Sequence, residues 1–368
     1  MRFLTFFGVR LHFFVLLPLL LAVNAEDAGP WWVVQTSGID TNLRGVSVKY
    51  DEGSSGTRNY FVWASGSHGV ILRSVNSGKG WKQLAVAGGE DLDFRDIEAF
   101  DDQLAYVMSS GDGDKSRIYK TVDGGAHWKL QYSNRLPGFF LDSLACDSAT
   151  HCVALSDPVG GKFLVLSTDD GEQWKELPRD KMPEALPTEG AFAASGTAIA
   201  LCTSGIYFGT GGPKARVFHS GDHGASWTVV ETPMASGNAS SGIFSVACGE
   251  NETVIAVGGD YQQPASANRV AIYSGDGGAT WTVPAKQPGG YRSAVGVFSA
   301  QDLAAVGPSG TDVSHDGGVS WTHTDAMNLN AVGFEGGEGW AVGAKGLIAR
   351  FKNRYLYSVE RETESERH

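Results

Sequence analysis

One eight-residue pattern, Ser/Thr-x-Asp/Asn-x-Gly-x-x-Trp, recurs six times and constrains this 368-residue chain more than any other feature. The first copy is Ser74-Val75-Asn76-Ser77-Gly78-Lys79-Gly80-Trp81. The next two carry Thr121, Asp123, Gly125 and Trp128, then Ser167, Asp169, Gly171 and Trp174. The last three carry Ser220, Asp222, Gly224 and Trp227, then Ser274, Asp276, Gly278 and Trp281, then Ser314, Asp316, Gly318 and Trp321. Successive tryptophans are 47, 46, 53, 54 and 40 residues apart. Periods of this size mark one supersecondary unit per repeat, such as a four-stranded blade. The Asp or Asn side chain can accept backbone N–H bonds and close a turn. Glycine supplies positive φ there, and the Trp buries its ring between neighbouring units. Local turn bonding accounts for Asn76, Asp123, Asp169, Asp222, Asp276 and Asp316, so these six are expected to be structural.

Strand-like runs surround each copy. An apolar strand precedes the Ser or Thr, as in Arg216-Val217-Phe218-His219, and small-residue strands lie upstream, as in Leu303-Ala304-Ala305-Val306. Small residues suit the crowded centre of a propeller. After the sixth copy, Asn330–Phe334, Gly339–Val342 and Leu347–Phe351 supply three further strands and no fourth. The fourth stands at the other end of the chain: Trp31-Trp32-Val33-Val34-Gln35-Thr36 mirrors Trp227-Thr228-Val229-Val230-Glu231-Thr232. The expectation is an all-β, seven-bladed β-propeller of four-stranded antiparallel blades. Its N-terminal strand closes the last blade and leaves the ring no open edge.

The six copies are identified as the Asp box of bacterial neuraminidase-repeat propellers. With this closure, Trp31–Phe351 resembles the photosystem II stability/assembly factor-like family and its secreted bacterial relatives. Stretches such as Leu155-Ser156-Asp157-Pro158-Val159, Gly190–Thr197, Tyr207–Gly212 and Ala305–Gly310 are similar to those relatives. The resemblance implies a scaffold that docks on a protein partner. The photosynthetic members carry a basic patch, whereas this chain has a formal net charge of -12. That charge argues against nucleic acid and anionic membranes as partners.

Arg2 and Arg10, the apolar run Phe13–Val23 and Val23-Asn24-Ala25 read as a secretory signal. The expected organisation is a signal peptide over 1–25, a propeller over 26–352 and a charged tail over 353–368. It implies a secreted or periplasmic protein, monomeric, with no stable membrane span after cleavage. Cys146 and Cys152 flank a short turn, so a disulfide between them is expected in an oxidising compartment. Cys202 and Cys248 fit either two buried thiols or a second bridge. No cofactor and no metal site is expected, since neither CxxC nor HExxH occurs.

Aligning the blades puts Arg44, Arg95 and Arg292 at the start of innermost strands, with Glu189 at about the same level. Asp157, Asp260 and Lys345 end second strands, flanked by Tyr261 and Tyr291. Converging guanidiniums can grip a carboxylate or phosphate. Alternatively, the same charges pair across blades and hold the ring, as desolvated charges must. Two functions follow. One is a non-catalytic exported propeller that binds a protein or a small anionic or glycan ligand on the channel face. The other is a sialidase-like glycoside hydrolase with an arginine clamp and Tyr261, Asp260 and Glu189 as catalytic candidates. Sialidases carry Arg-Ile-Pro before the first box; here the similar Arg135-Leu136-Pro137 follows the second.

Overall fold

The computed structural model of the chain describes residues 31–53 and 56–352. The expected signal peptide and charged tail lie outside them. Seven antiparallel four-stranded sheets form the ring. The innermost strands of blades 1 to 7 are, in order, Leu43–Glu52, Asp93–Ala99, Leu141–Cys146, Ile199–Cys202, Asn238–Cys248, Ala294–Val297 and Leu329–Glu335. The only helical elements among the described residues are the one-turn segments Gly113–Lys115 and Ala344–Gly346. No helix of the described residues is long and apolar enough to cross a membrane.

The ring closes as the sequence indicates. Trp32–Gln35 pairs antiparallel with Ile348–Phe351, Trp32 opposite Phe351 and Gln35 opposite Ile348. Trp32 also donates its indole N–H to Thr311 Oγ1 of blade 6 at 2.9 Å.

The core is divided into seven hydrophobic clusters, one between each pair of neighbouring blades. Each motif Trp is delivered to the blade before its own. Trp128 meets Trp63 edge-on at 6.3 Å, and Trp174 meets Tyr106 at 6.2 Å. Trp31 takes the equivalent place in blade 7, its ring 5.5 Å from Phe351.

The corners themselves are nearly identical. Ser274 Oγ accepts from Gly278 N at 2.8 Å, and Asp276 Oδ1 accepts from Thr280 N at 2.9 Å. The same pair of bonds recurs at Asn76, Asp123, Asp222 and Asp316. Blade 3 corrects the sequence reading. Its corner is one residue shorter and turns on Thr168 and Asp170, with Gly171 N on Thr168 Oγ1 and Glu172 N and Gln173 N on Asp170 Oδ1. Asp169 instead reaches Lys175 Nζ at 2.5 Å. The run Ser167-Thr168-Asp169-Asp170 offers two registers, and the structure takes the later one.

Both disulfides form. Cys146–Cys152 links directly opposed residues of one hairpin. Cys202–Cys248 joins the innermost strands of blades 4 and 5, which the sequence left open. A second tie lies nearby: Gly211–Gly212, from blade 4, pairs with the innermost strand of blade 5. A Cβ on Gly211 would stand 2.4 Å from the Ser241 carbonyl and 2.5 Å from the Phe192 ring, so only glycine permits this crossing. The fourth strand of blade 5 is correspondingly reduced to one bridge, Tyr273 with Thr282.

Candidate ligand pocket at the channel mouth

Five innermost strands carry a β-bulge, near the start in blades 1, 2, 3 and 7 and in the middle of Asn238–Cys248 in blade 5. The registers skip Arg44, Arg95, Asp142, Phe244 and Asn330, in blades 1, 2, 3, 5 and 7. A bulge turns one extra side chain out of the ladder and re-aims it. All five of these residues line one cavity of about 400 Å³ at the channel mouth. The residue before each bulge, Leu43, Phe94, Leu141, Ile243 or Leu329, is fully buried between blades.

Blade 6 shows why one expected arginine is missing from this cavity. The corresponding run is Arg292-Ser293-Ala294, and Ser293 lines the cavity. Arg292 therefore occupies the sealed position, not the exposed one, and is fully buried. Its Nε lies 2.6 Å from Asp312 Oδ2, which its NH2 group also contacts, and NH1 donates to the Tyr291 carbonyl and Ser309 Oγ. The repeat is therefore shifted by one residue at this blade, against the expected equivalence of Arg292 with Arg44 and Arg95.

Other expected site residues divide similarly. Glu189 is sealed by Arg216, Thr210 Oγ1 and Leu186 N, and serves as a latch of the blade 4 edge. Asp260 accepts from Ser240, Asn238, Gln262 N and Gln263, which spends its oxygens on a turn. Lys345 sits at positive φ in the turn after the second strand of blade 7 and is not part of the cavity wall. Arg44, Arg95, Asp157, Tyr261 and Tyr291 do converge.

The segment Gly190–Thr197 builds one wall. Ala191 N donates to Asp157 Oδ1 at 2.9 Å, and the Ala193 carbonyl accepts from Arg95 NH1 at 2.6 Å. Phe192 stacks on Phe244 with centroids 3.7 Å apart. Phe244 in turn receives Tyr291 and Tyr261 edge-on, at 4.8 and 6.2 Å. Neighbouring Phe140 adds to this aromatic lining.

The charges in the pocket are unevenly satisfied. Arg95 is paired with Asp93 at 2.6 Å. Arg44 makes no direct ion pair among the described residues; the Asp93 carboxylate, paired with Arg95, acts on it at longer range, and the amide of Asn42 lies 3.0 Å from its Nε and NH2. Burial, and then the like charge of Arg95, lower the Arg44 pKa from its usual value. Asp142 is almost wholly buried, and its Oδ2 has no hydrogen-bond partner among the described residues. Burial first, and the nearby Asp157 carboxylate second, hold Asp142 well above the usual carboxylate range. Burial lifts Asp157 to about 6 and raises the Tyr291 phenol as well. Deeper in the channel, burial lifts Glu98 to about 7. Sequence reasoning missed Asp142, Phe192, Phe244 and Asn330. The available signal was a buried apolar residue, a variable residue and then a small one, as in Leu141-Asp142-Ser143 and Leu329-Asn330-Ala331.

Residues 54–304 match the family described as the DUF6242 beta propeller domain. A curated relative, a xyloglucanase of Hypocrea jecorina (strain QM6a), is 26% identical over 217 residues, 59% of this chain and 23% of that protein. The chain thus spans about a quarter of that relative's length. Among solved structures, virginiamycin B lyase from Staphylococcus aureus superposes with a TM-score of 0.61 at 13% identity, covering 87% of this chain and 98% of that one. YCF48 from Cyanidioschyzon merolae gives 0.59 at 17% identity with the same coverage. YCF48 bound to D1 peptide gives 0.58 at 12% identity, covering 87% and 96%. At these identities the likeness is one of fold.

Proposed function

We propose that this chain, which belongs to the DUF6242 beta propeller domain family, is an exported binding propeller that holds an anionic group at its channel mouth. The observation that carries the reading is Arg44, a cavity-lining guanidinium with no direct ion pair among the described residues. A charge removed from water gains most from an opposite charge with matching hydrogen bonds. Arg95 adds positive field, and the aromatic wall offers contact to the apolar body of the same ligand. The seven blades hold these groups in fixed register, so binding needs little reorganisation. Export is supported by the two disulfides, which persist in oxidising compartments. A structure of the same fold, YCF48, is described with a D1 peptide bound, which supports a protein segment as one carrier of the anion.

Isothermal titration with small carboxylates and phosphate esters tests the reading. Arg44→Gln should weaken binding by about tenfold to a hundredfold, as for a lost charged hydrogen bond, with an unchanged Tm. Wild-type protein that binds none of these anions, or an Arg44→Gln variant that binds them equally well, overturns it.

A hydrolytic reading has one observation in its favour: Asp142 and Asp157, two carboxyl groups with raised pKa, in one cavity. Such groups can act as general acids near neutrality. This moves the catalytic candidates from Asp260 and Glu189 to that pair. Turnover of sialosides or uronides, lost in Asp142→Asn, would establish it.

A further inference from the structure

Asp142 is the bulged residue of blade 3, almost wholly buried, lining the cavity with Oδ2 unpartnered among the described residues. A buried polar atom without a partner costs stability, and a ligand that supplies the partner recovers that cost. Asp157 lies in the same cavity, with one oxygen bound to Ala191 N. A second anion beside these two carboxyls is disfavoured, and so is a cation beside Arg44 and Arg95, whose charge already acts on Asp142, so a neutral partner suits Asp142 best. A hydroxyl both donates and accepts. It therefore satisfies Oδ2 whether or not Asp142 holds its proton, which an amide N–H or a carbonyl does not.

The remaining walls narrow the ligand further. Phe192 and Phe244 form one stacked unit, braced edge-on by Tyr291. A rigid aromatic wall suits the C–H face of a saturated ring. Arg44 takes the anion, while Asn330 Oδ1 and Ser293 Oγ remain as acceptors, their donors being engaged by Leu43 and by the Asn330 carbonyl. The cavity of about 400 Å³ lies in the range of small-molecule pockets.

We propose that Asp142 is a second anchor of this pocket, binding a hydroxyl of a ligand whose carboxylate lies on Arg44, so that the pocket selects acidic sugars over plain carboxylates. The proposal rests on the anion-binding reading above and adds a ligand class and a specificity-determining residue to it. Asp142 selects without doing chemistry. Its contribution is the difference between ligands that do and do not fill its hydrogen bond.

The test compares D-glucuronate with cyclohexanecarboxylate, which shares a six-membered ring and one carboxylate but has no hydroxyls. Titration calorimetry on the wild type should give at least about tenfold tighter binding of glucuronate, the scale of one buried hydrogen bond left unmade. Asp142→Asn keeps the shape and a donor–acceptor pair, and should keep most of that preference. Asp142→Ala should bring the two ligands to near parity, with circular dichroism and Tm showing that the Ala variant is folded. Equal affinity of the two ligands in wild type, or an intact preference in Asp142→Ala, overturns the proposal. If both ligands bind equally and both need Arg44, the anion-binding reading stands without it. If neither binds, both fall together.

Discussion

The two faces of the ring are built on opposite plans. On the corner face, Asn76, Asp123, Asp222, Asp276 and Asp316 each accept the same backbone N–H, beside a hydroxyl that accepts another, and even the shortened corner at Asp170 keeps the chemistry. On the channel face, equivalent bulges present an arginine, another arginine, an aspartate, a phenylalanine and an asparagine. The first face repeats because each corner solves the same local problem. The second varies because its side chains face a shared cavity, where packing between blades no longer dictates their type. Arg292 marks the border between the plans: one step from the cavity, it must be paired like any other buried charge.

The largest effect that could break this contrast is at Arg292. If it belongs to the ring and not to the cavity, Arg292→Ala strands Asp312 and should cost about 3–5 kcal/mol, seen as a large loss of Tm. Arg44→Gln should leave Tm unchanged. A stable Arg292→Ala protein with impaired anion binding would return Arg292 to the site.

The disulfides offer a second comparison, between a tie inside one hairpin and a tie between blades. Chain-entropy arguments give about 4 kcal/mol for the 46-residue separation of Cys202–Cys248 and about 2 kcal/mol for Cys146–Cys152. The Cys202→Ser/Cys248→Ser protein should therefore unfold at lower denaturant than the other pair of substitutions. The reverse order would mean that the Gly211–Gly212 strand already fastens blades 4 and 5.

Titration sharpens the contrast with a smaller effect. Hydrogen bonds hold Asp123, Asp222 and Asp276 down at about 2. Their contribution is present above the ordinary carboxylate value of about 4 and is lost as pH falls toward 2. In the channel the sign reverses. Glu98 at about 7 and Asp157 at about 6 are raised by burial. The folded state then loses stability as pH rises from about 4 through those values. Glu98→Gln should flatten the decline between about pH 4 and pH 7 in Tm measurements and leave the acid limb unchanged. The smallest effect is at a single corner: Asp276→Ala should lower Tm only slightly and shift the acid limb alone.

Legibility in the sequence follows the same division. The corner motif, the blade period and the match of Trp31–Thr36 to Trp227–Thr232 sufficed for the architecture, because each is local or strictly repeated. The register at Asp169 and Asp170 was ambiguous, since two acids follow two hydroxyl residues. The cavity was half legible. Arg44, Arg95, Asp157, Tyr261 and Tyr291, which the repeat groups together, line the cavity. Asp142 and Phe244 were not legible, because an unpaired extra residue in a strand leaves no periodic trace. Glu189 and Asp260 are instead bound by Arg216 and the Ser240 turn, partners that come together only in the folded chain.

The bulges make the recognition surface separable from the architecture. Each contributes one side chain that lines the cavity, while the residue before it is sealed between blades. Positions 44 and 142 should therefore accept substitution on an unaltered frame, whereas 95, 244 and 330 also hold Ala193, Phe192 and Leu43 in place. Divergent paralogues of such a ring would be free to change diet without relearning how to fold.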